Sequence, residues 1–240
     1  MRPWPEHRLA YLRLLAGLAP GTVIRVAGGD PGDRASQGHS AAWAVLRATV
    51  VGAVAWTKGQ VKAGPRLADV ALEEVGSVAW RDGAAAQRAH AFAVGGGFAL
   101  VTEDQVWGFA RRAADGADDG EDDRGAGGRF RSLKGLAQAS GALAGGAQAG
   151  GCAHVYVAQA ATWKACLGRH TSGQDQKRAR DASQTLMAAL GAPARIKGRM
   201  ARHDYAAAVA LAVVGLGVVS FRDQVQAPEG SPLATWIRGC

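Results

Sequence analysis

Residues 206–219, AAAVALAVVGLGVV, run for 14 positions without a charged or polar side chain. A bilayer crossing needs roughly 20 such residues, so this run is too short to span a membrane. A segment apolar on every side must then be covered by protein on every side. We read it as a buried core helix over 203–217, and the remaining elements have to wrap it. With 240 residues, 48% of them hydrophobic and 20% charged, the chain has material for a packed core, and disorder is not expected. One domain is expected rather than two.

The three cysteines, Cys152, Cys166 and Cys240, form no C-x-x-C pair. That argues against a disulfide scaffold and against a cysteine-rich zinc site. Residues 1–20 carry scattered Arg and His and no clean apolar stretch of the kind a signal peptide needs. A cytosolic protein with no membrane partner is expected.

Hydrophobic spacing gives the coarse order β-β-β-α-β-α-β-α-α. A short amphipathic helix over 6–18 stops at Gly17 and Pro20, and a β-branched strand over 22–29 ends in the turn Asp30-Pro31-Gly32. Two further strands are expected within 41–61, joined near 47–51, completing an antiparallel meander. A helix is expected over 66–80, from the spacing of Leu67, Val70, Ala71, Glu74, Val75 and Val78. A strand over 97–104 follows the Gly95-Gly96-Gly97 turn. Residues 111–128 hold six acids among glycines with no apolar period, and predict a mobile loop. A small-residue helix over 132–151, suited to close packing within or between chains, comes next. The remaining elements are a strand that starts at 153 and runs into a loop by 168, and a basic helix over 175–191. The N-terminal extension is set at 1–21, the main domain at 22–217 and a C-terminal tail at 218–240.

Charge has a definite location. Lys+Arg number 28 against 20 Asp+Glu, a formal net charge of +8. Residues 163–202 hold Lys164, Arg169, Lys177, Arg178, Arg180, Arg195, Lys197, Arg199 and Arg202 against Asp175 and Asp181, which places +7 in one segment. Such clustering suits a polyanion, nucleic acid before membrane.

Three acids sit where apolar segments meet loops: Asp30 after the first strand, Glu103 at the end of the fourth, Asp204 at the start of the last helix. Carboxylates converging from separate elements repel one another and need a hard cation with oxygen ligands, such as Mg²⁺. A basic chain with such a cage points to a metal-dependent nuclease, where two ions can clamp the attacking and leaving oxygens of an in-line displacement.

The segments V-A-G-G-D-P-G (26–32), A-L-V-T-E-D-Q (99–105), A-A-T-W-K-A-C-L-G (160–168) and H-D-Y-A-A-A-V-A-L-A (203–212), in that order, resemble the RuvC-type Holliday junction resolvases. The closer resemblance is to their phage and prophage-like relatives, and it covers roughly 22–217. It implies an α/β, ribonuclease-H-like fold, a central mixed five-stranded sheet flanked by helices. It also implies a homodimer that cuts four-way or branched DNA by phosphodiester hydrolysis. Carried over by position, Asp30, Glu103 and Asp204 are the catalytic metal ligands for Mg²⁺, with Mn²⁺ able to substitute and His203 or Asp104 as a further donor. Lys164 stands near the scissile phosphate. Arg169, Lys177, Arg178, Arg180, Arg199 and Arg202 belong to the DNA-binding face.

The chain departs from that pattern in two places. A fourth carboxylate is expected three or four residues after Asp204, where Ala207 and Ala208 stand, and Ala160 replaces a proline. A branch-binding protein with an impaired nuclease site therefore remains an alternative, as does another ribonuclease-H-like nuclease. Simpler roles also fit single residues. Asp-Pro-Gly is a common turn, Glu103 and Asp104 make a polar strand end, Asp204 suits a helix first turn, and His203 suits a structural histidine.

Overall fold

The computed structural model describes residues 13–31, 40–52, 55–57, 60–63, 65–79, 83–103, 123–158, 163–164, 166–167, 176–196, 201–218 and 221–239. In chain order these form β1 (Val23–Asp30), β2 (Ser40–Gly52), β3 (Ala55–Thr57), β4 (Gln60–Ala63) and β5 (Arg66–Ala79). Then come α1 (Ala84–Val94), β6 (Ala99–Glu103), α2 (Asp123–Ala149), β7 (His154–Ala158), α3 (Gln176–Ala189), α4 (Arg202–Gly215), α5 (Phe221–Gln224) and α6 (Pro232–Gly239). The protein is α/β, with a five-stranded mixed sheet in the order β5-β2-β1-β6-β7 flanked by helices. β5, β2 and β1 pair antiparallel, and β6 and β7 add in parallel. β3 and β4 form a separate two-stranded hairpin.

β1 is covered on both faces, and its sequence shows why this is possible. A Cβ on Gly28 would collide with the Ala208 carbonyl oxygen and lie 2.6 Å from Ala212 N, while one on Gly29 would sit 2.5 Å from Leu143 Cδ1. Side chains alternate along a strand, so α4 packs its backbone on one face and α2 covers the other. The expected buried helix is confirmed: residues 204–215 of α4 are all buried. α2 in turn packs against α1, with Gly146 lying on the Ala86 backbone, so one use of its small residues is close packing within the chain.

The expected helix over 66–80 is corrected: β5 is a strand of 14 residues paired with β2. The β2–β5 ladder has three register irregularities, at Val45/Leu46, Arg47/Thr49 and Val50/Gly52. Each extra residue shifts the phase of the alternation, so buried Leu67 and Val70 stand three apart, as on a helix. Asp69 lies in one of these irregularities with a positive φ of 52°. The expected break near 47–51 is likewise corrected, because β2 continues through it to Gly52. The helix belonging after the third sheet strand is α1. Its buried residues Ala85, Ala89, Phe92 and Ala93 have the i, i+4, i+7, i+8 spacing, but the Gly83 N-cap offers no capping side chain.

The acidic loop expected over 111–128 ends earlier, because α2 begins at Asp123; the rest of it lies outside the described residues. Trp163, Lys164 and Cys166 are helical, where a loop was expected. The expected C-terminal tail carries α5 and α6, and Phe221, Val225 and Leu233 join the main core cluster together with Leu15 from the N-terminal helical turn over 13–16. Gln226 N donates to the Leu67 carbonyl at 2.7 Å beside an isolated Leu67–Val225 bridge, so the C-terminal segment lies along the start of β5. Among the described residues no helix is long and apolar enough to cross a membrane.

Candidate functional site

The register of β1 and β6 brings the first two acids side by side. Gly29 pairs with Thr102, so Asp30 and Glu103 occupy the next row, at the C-terminal ends of two parallel neighbours. Alternation fixes their face. Val26 and Gly28 point to the α4 side, and so does Asp30; Ala99 and Val101 share the core with α4, and Glu103 follows them.

α4 runs back along these strands. A Cβ on Gly215 would lie 3.2 Å from both Val26 Cβ and Val101 Cγ2, while Ala208 and Ala212 sit over Gly28. The N-terminal end of α4, with Asp204, therefore lies toward the Asp30 and Glu103 end of the sheet. Each acid was nominated for lying where an apolar segment meets a loop and was expected to converge with the others; the fold puts all three on one face at one end. Asp30 and Asp204 are buried and Glu103 is half-buried.

Asp204 also has a structural task. Its Oδ2 accepts the Ala201 N–H at 3.1 Å, satisfying one of the amide groups a helix N-terminus leaves unpaired. His203 Nε2 lies 3.1 Å from Asp204 Oδ1, without hydrogen-bond alignment. The histidine that the sequence offered as a metal donor thus faces the carboxylate beside it. Ala207 and Ala208, the positions of the expected fourth acid, face different surroundings. Ala207 belongs to the cluster containing Val101, Tyr156 and Trp163, and Ala208 to the one containing Ala42, Ala44 and Tyr205.

Lys164 reaches this region from a helical turn anchored by its buried neighbours Trp163, Cys166 and Leu167. Leu167 N donates to the Trp163 carbonyl at 3.3 Å, and Cys166 Sγ donates to the Val218 carbonyl at 3.0 Å. Lys164 Nζ stands 5.3 Å from the Trp163 ring centroid, in cation–π range. Its pKa is lowered, first by partial burial and also by the charge of Arg180, while Glu103 opposes the shift. Lys164 is thus in electrostatic reach of both Glu103 and a cation of α3.

On α3, Arg178 and Arg180 are exposed. Arg202 is exposed at the start of α4 and donates to the Ala194 carbonyl at 2.9 Å. Lys177 lies in α3, but its side chain is outside the described residues, as are Arg169, Arg199 and Asp104.

Two site residues escaped the sequence. Thr102 Oγ1 donates to Ser140 Oγ at 3.2 Å, and Ser140 Oγ donates to the Glu103 carbonyl at 3.1 Å. The available signal was a hydroxyl in apolar helical spacing, with Leu136 four residues before Ser140 and Leu143 three after.

By donor chemistry three carboxylates suit a hard divalent cation. By spacing, among the described residues no three His, Cys, Asp or Glu side chains stand close enough together to hold one ion. Comparison of the chain with family models, curated proteins and solved structures gives no match.

Proposed function

We propose that the chain is a divalent-metal-dependent, structure-selective DNA endonuclease on a ribonuclease-H-like fold, a cytoplasmic homodimer that cleaves four-way or otherwise branched DNA. The observation that carries this reading is the placement of Asp30, Glu103 and Asp204 on one face at one end of the sheet. Lys164 is in electrostatic range of both Glu103 and Arg180 of α3. A bound Mg²⁺ or Mn²⁺ would polarise the phosphate and activate water. Asp30, Glu103 and Asp204 would hold it, with His203 beside them. Lys164 would meet phosphate oxygens near the cut. Arg169, Lys177, Arg178, Arg180, Arg199 and Arg202 would hold the backbone farther out, where binding is charge-driven and salt-sensitive.

A second reading is a branch-binding protein whose nuclease site is impaired. It is favoured by the alanines at 207 and 208 and by the absence of a three-residue metal group among the described residues. Synthetic four-way junctions incubated with Mg²⁺ or Mn²⁺ separate the two. Cleavage that Asp30→Asn abolishes supports the endonuclease; junction binding with no cutting in either metal supports the impaired site. Cleavage unchanged by Asp30→Asn overturns the carboxylate assignment.

A further inference from the structure

The two edges of the five-stranded sheet are treated differently. At the β5 edge the C-terminal segment lies alongside, through the Leu67–Val225 bridge and the Gln226 N–H donated to the Leu67 carbonyl. The other edge is β7, paired among the described residues with β6 alone. His154 N donates to the Phe98 carbonyl, so the main-chain groups of 154, 156 and 158 serve the pairing with β6. By alternation those of Val155 and Val157 point away from the sheet, and no described residue pairs with them. Edges of this kind are usually blunted by Lys, Pro, an inward charge or a bulge. β7 reads His-Val-Tyr-Val-Ala, its register with β6 has no shift, and Val157 is 46% exposed.

Beside this edge lies a surface without charge or bulk. α2 packs over β6 and β7, and its Gly146 lies on α1. At about 100° per residue, the flank opposite Gly146 presents Ala137, Gly141, Gly145 and Gln148, all exposed. A Cβ on Gly141 or Gly145 would meet nothing within 4 Å. Two copies of a chain with net charge +8 repel wherever their basic surfaces meet, and this neutral patch lets them approach.

The hydrogen-bond pattern also suits a second copy. Turned about a two-fold axis at Tyr156, a second β7 runs antiparallel to the first. Val155 of each copy then faces Val157 of the other, and each such pair exchanges both N–H···O=C bonds. Every outward donor meets an outward acceptor. Val155 packs with Leu143 and Ala147, so both valines lie on the α2 face, and Val155 of one copy covers the exposed Val157 of the other. A five-residue strand is about 17 Å long, too little by itself for the roughly 800 Å² per partner of a stable interface. The α2 flank from Ala137 to Gln148 adds about 18 Å of helix, and the dimer should be a weak one.

We propose that β7 is the edge through which two copies of this chain pair, antiparallel about Tyr156, joining two five-stranded sheets into one with the α2 flanks meeting across the axis. The inference names the surface for the homodimer of the reading above and rests on neither its metal nor its DNA.

Sedimentation velocity of the full chain, without metal or DNA, over a concentration series tests this. The parent should pass from monomer to dimer within roughly 1–100 μM and stop there, because the pairing uses up the open edge. Val157→Lys sets like charges across the axis, and Gly145→Glu does so on the α2 flanks; each should weaken the dimer by about ten-fold or more. Val94→Lys, a charge at another exposed valine, should leave the dimer unchanged. Melting at a concentration where the parent is monomeric confirms that each variant folds, and Gly145→Glu enters open space. A dimer weakened by neither Val157→Lys nor Gly145→Glu uses another surface and overturns the proposal. Growth beyond the dimer overturns it too. A parent still monomeric at about 100 μM leaves the edge to a strand of a different protein and overturns both the proposal and the homodimer, while junction cleavage alone judges the nuclease.

Discussion

The carbonyl oxygen of Ala208 occupies the volume that a side chain at Gly28 would need. This contact seats the backbone of α4 on the middle of β1, and two residues farther along the strand it leaves Asp30 facing the first turn of the helix. The obstructing atoms belong to helix backbone, which cannot rotate away. Gly28→Ala should therefore destabilise the fold by about 3 kcal/mol or more, read as a lower urea midpoint. Gly29→Ala crowds the Leu143 side chain, with Cδ1 nearest at 2.5 Å, and since a side chain can shift where a helix backbone cannot, it should lose less. Equal losses at the two positions would contradict the seating of α4.

Asp69 holds a positive φ of 52° within a β5 irregularity, and its Oδ2 accepts the Thr49 hydroxyl at 3.2 Å. A β-branched residue resists that conformation, so Asp69→Val should lose about 2 kcal/mol. Asp69→Gly removes the strain along with the hydrogen bond and should stay within about 0.5 kcal/mol of the parent. Denaturant titration of both variants decides this; a Gly variant as unstable as the Val variant would assign the effect to the lost hydrogen bond.

Glu73 separates two arginines that pair across strands, Arg25 and Arg47. Arg25 Nε donates to its Oε2 at 2.8 Å, and Arg47 Nε lies 3.6 Å from its Oε1. All three side chains are partly exposed, so solvent screens the interaction. Glu73→Gln should lose about 0.5–1 kcal/mol at low salt, with the difference shrinking in about 1 M NaCl. A salt-independent loss would point to packing.

Ala207 stands nearly one turn beyond Asp204, on the side of Val101 and Trp163. Ala207→Asp buries an extra carboxylate and should destabilise the metal-free chain by about 2 kcal/mol. If the acids share a cation, added Mn²⁺ should recover that loss and increase junction cleavage. Ala208→Asp places its acid against Ala42 and Ala44 of β2 and should gain nothing from Mn²⁺. Thermal melts with and without Mn²⁺ read both; identical responses would remove the distinction.

Lys164 carries a lowered pKa, caused first by burial. The unfolded chain therefore keeps its proton to higher pH than the folded one does. Stability should rise as pH climbs through the lowered value toward the ordinary lysine value of 10.5. Lys164→Met should flatten this rise in alkaline denaturation curves and leave the neutral-pH fold no less stable. A parallel pH dependence in parent and variant would contradict it.

Much of the fold was legible because several segments state their pattern without interference. The 206–219 run could only be a buried helix, and the apolar segments before Asp30 and Glu103 gave the two parallel strands at the centre of the sheet. The mistaken helix over 66–80 has a specific cause. Irregular pairing with β2 spaces the buried side chains of β5 as a helix would, and which residues lie in an irregularity depends on the partner strand. The C-terminal segment read as a tail because α5 and α6 are short. Their packing through Phe221, Leu233 and Trp236 depends on surfaces that distant segments supply.

The candidate site divides in the same way. Residue chemistry alone nominated Asp30, Glu103 and Asp204, since an acid at the end of an apolar segment is visible in one dimension, as is the clustering of positive charge in 163–202. Whether those acids share a face depends on strand register and on the direction in which α4 crosses β1, and only the packed chain fixes either. The Ser140 bond to the Glu103 carbonyl joins residues 37 positions apart. No local propensity encodes a hydrogen bond between a helix and a strand so far apart in sequence, because it forms only after both have been buried against the same core.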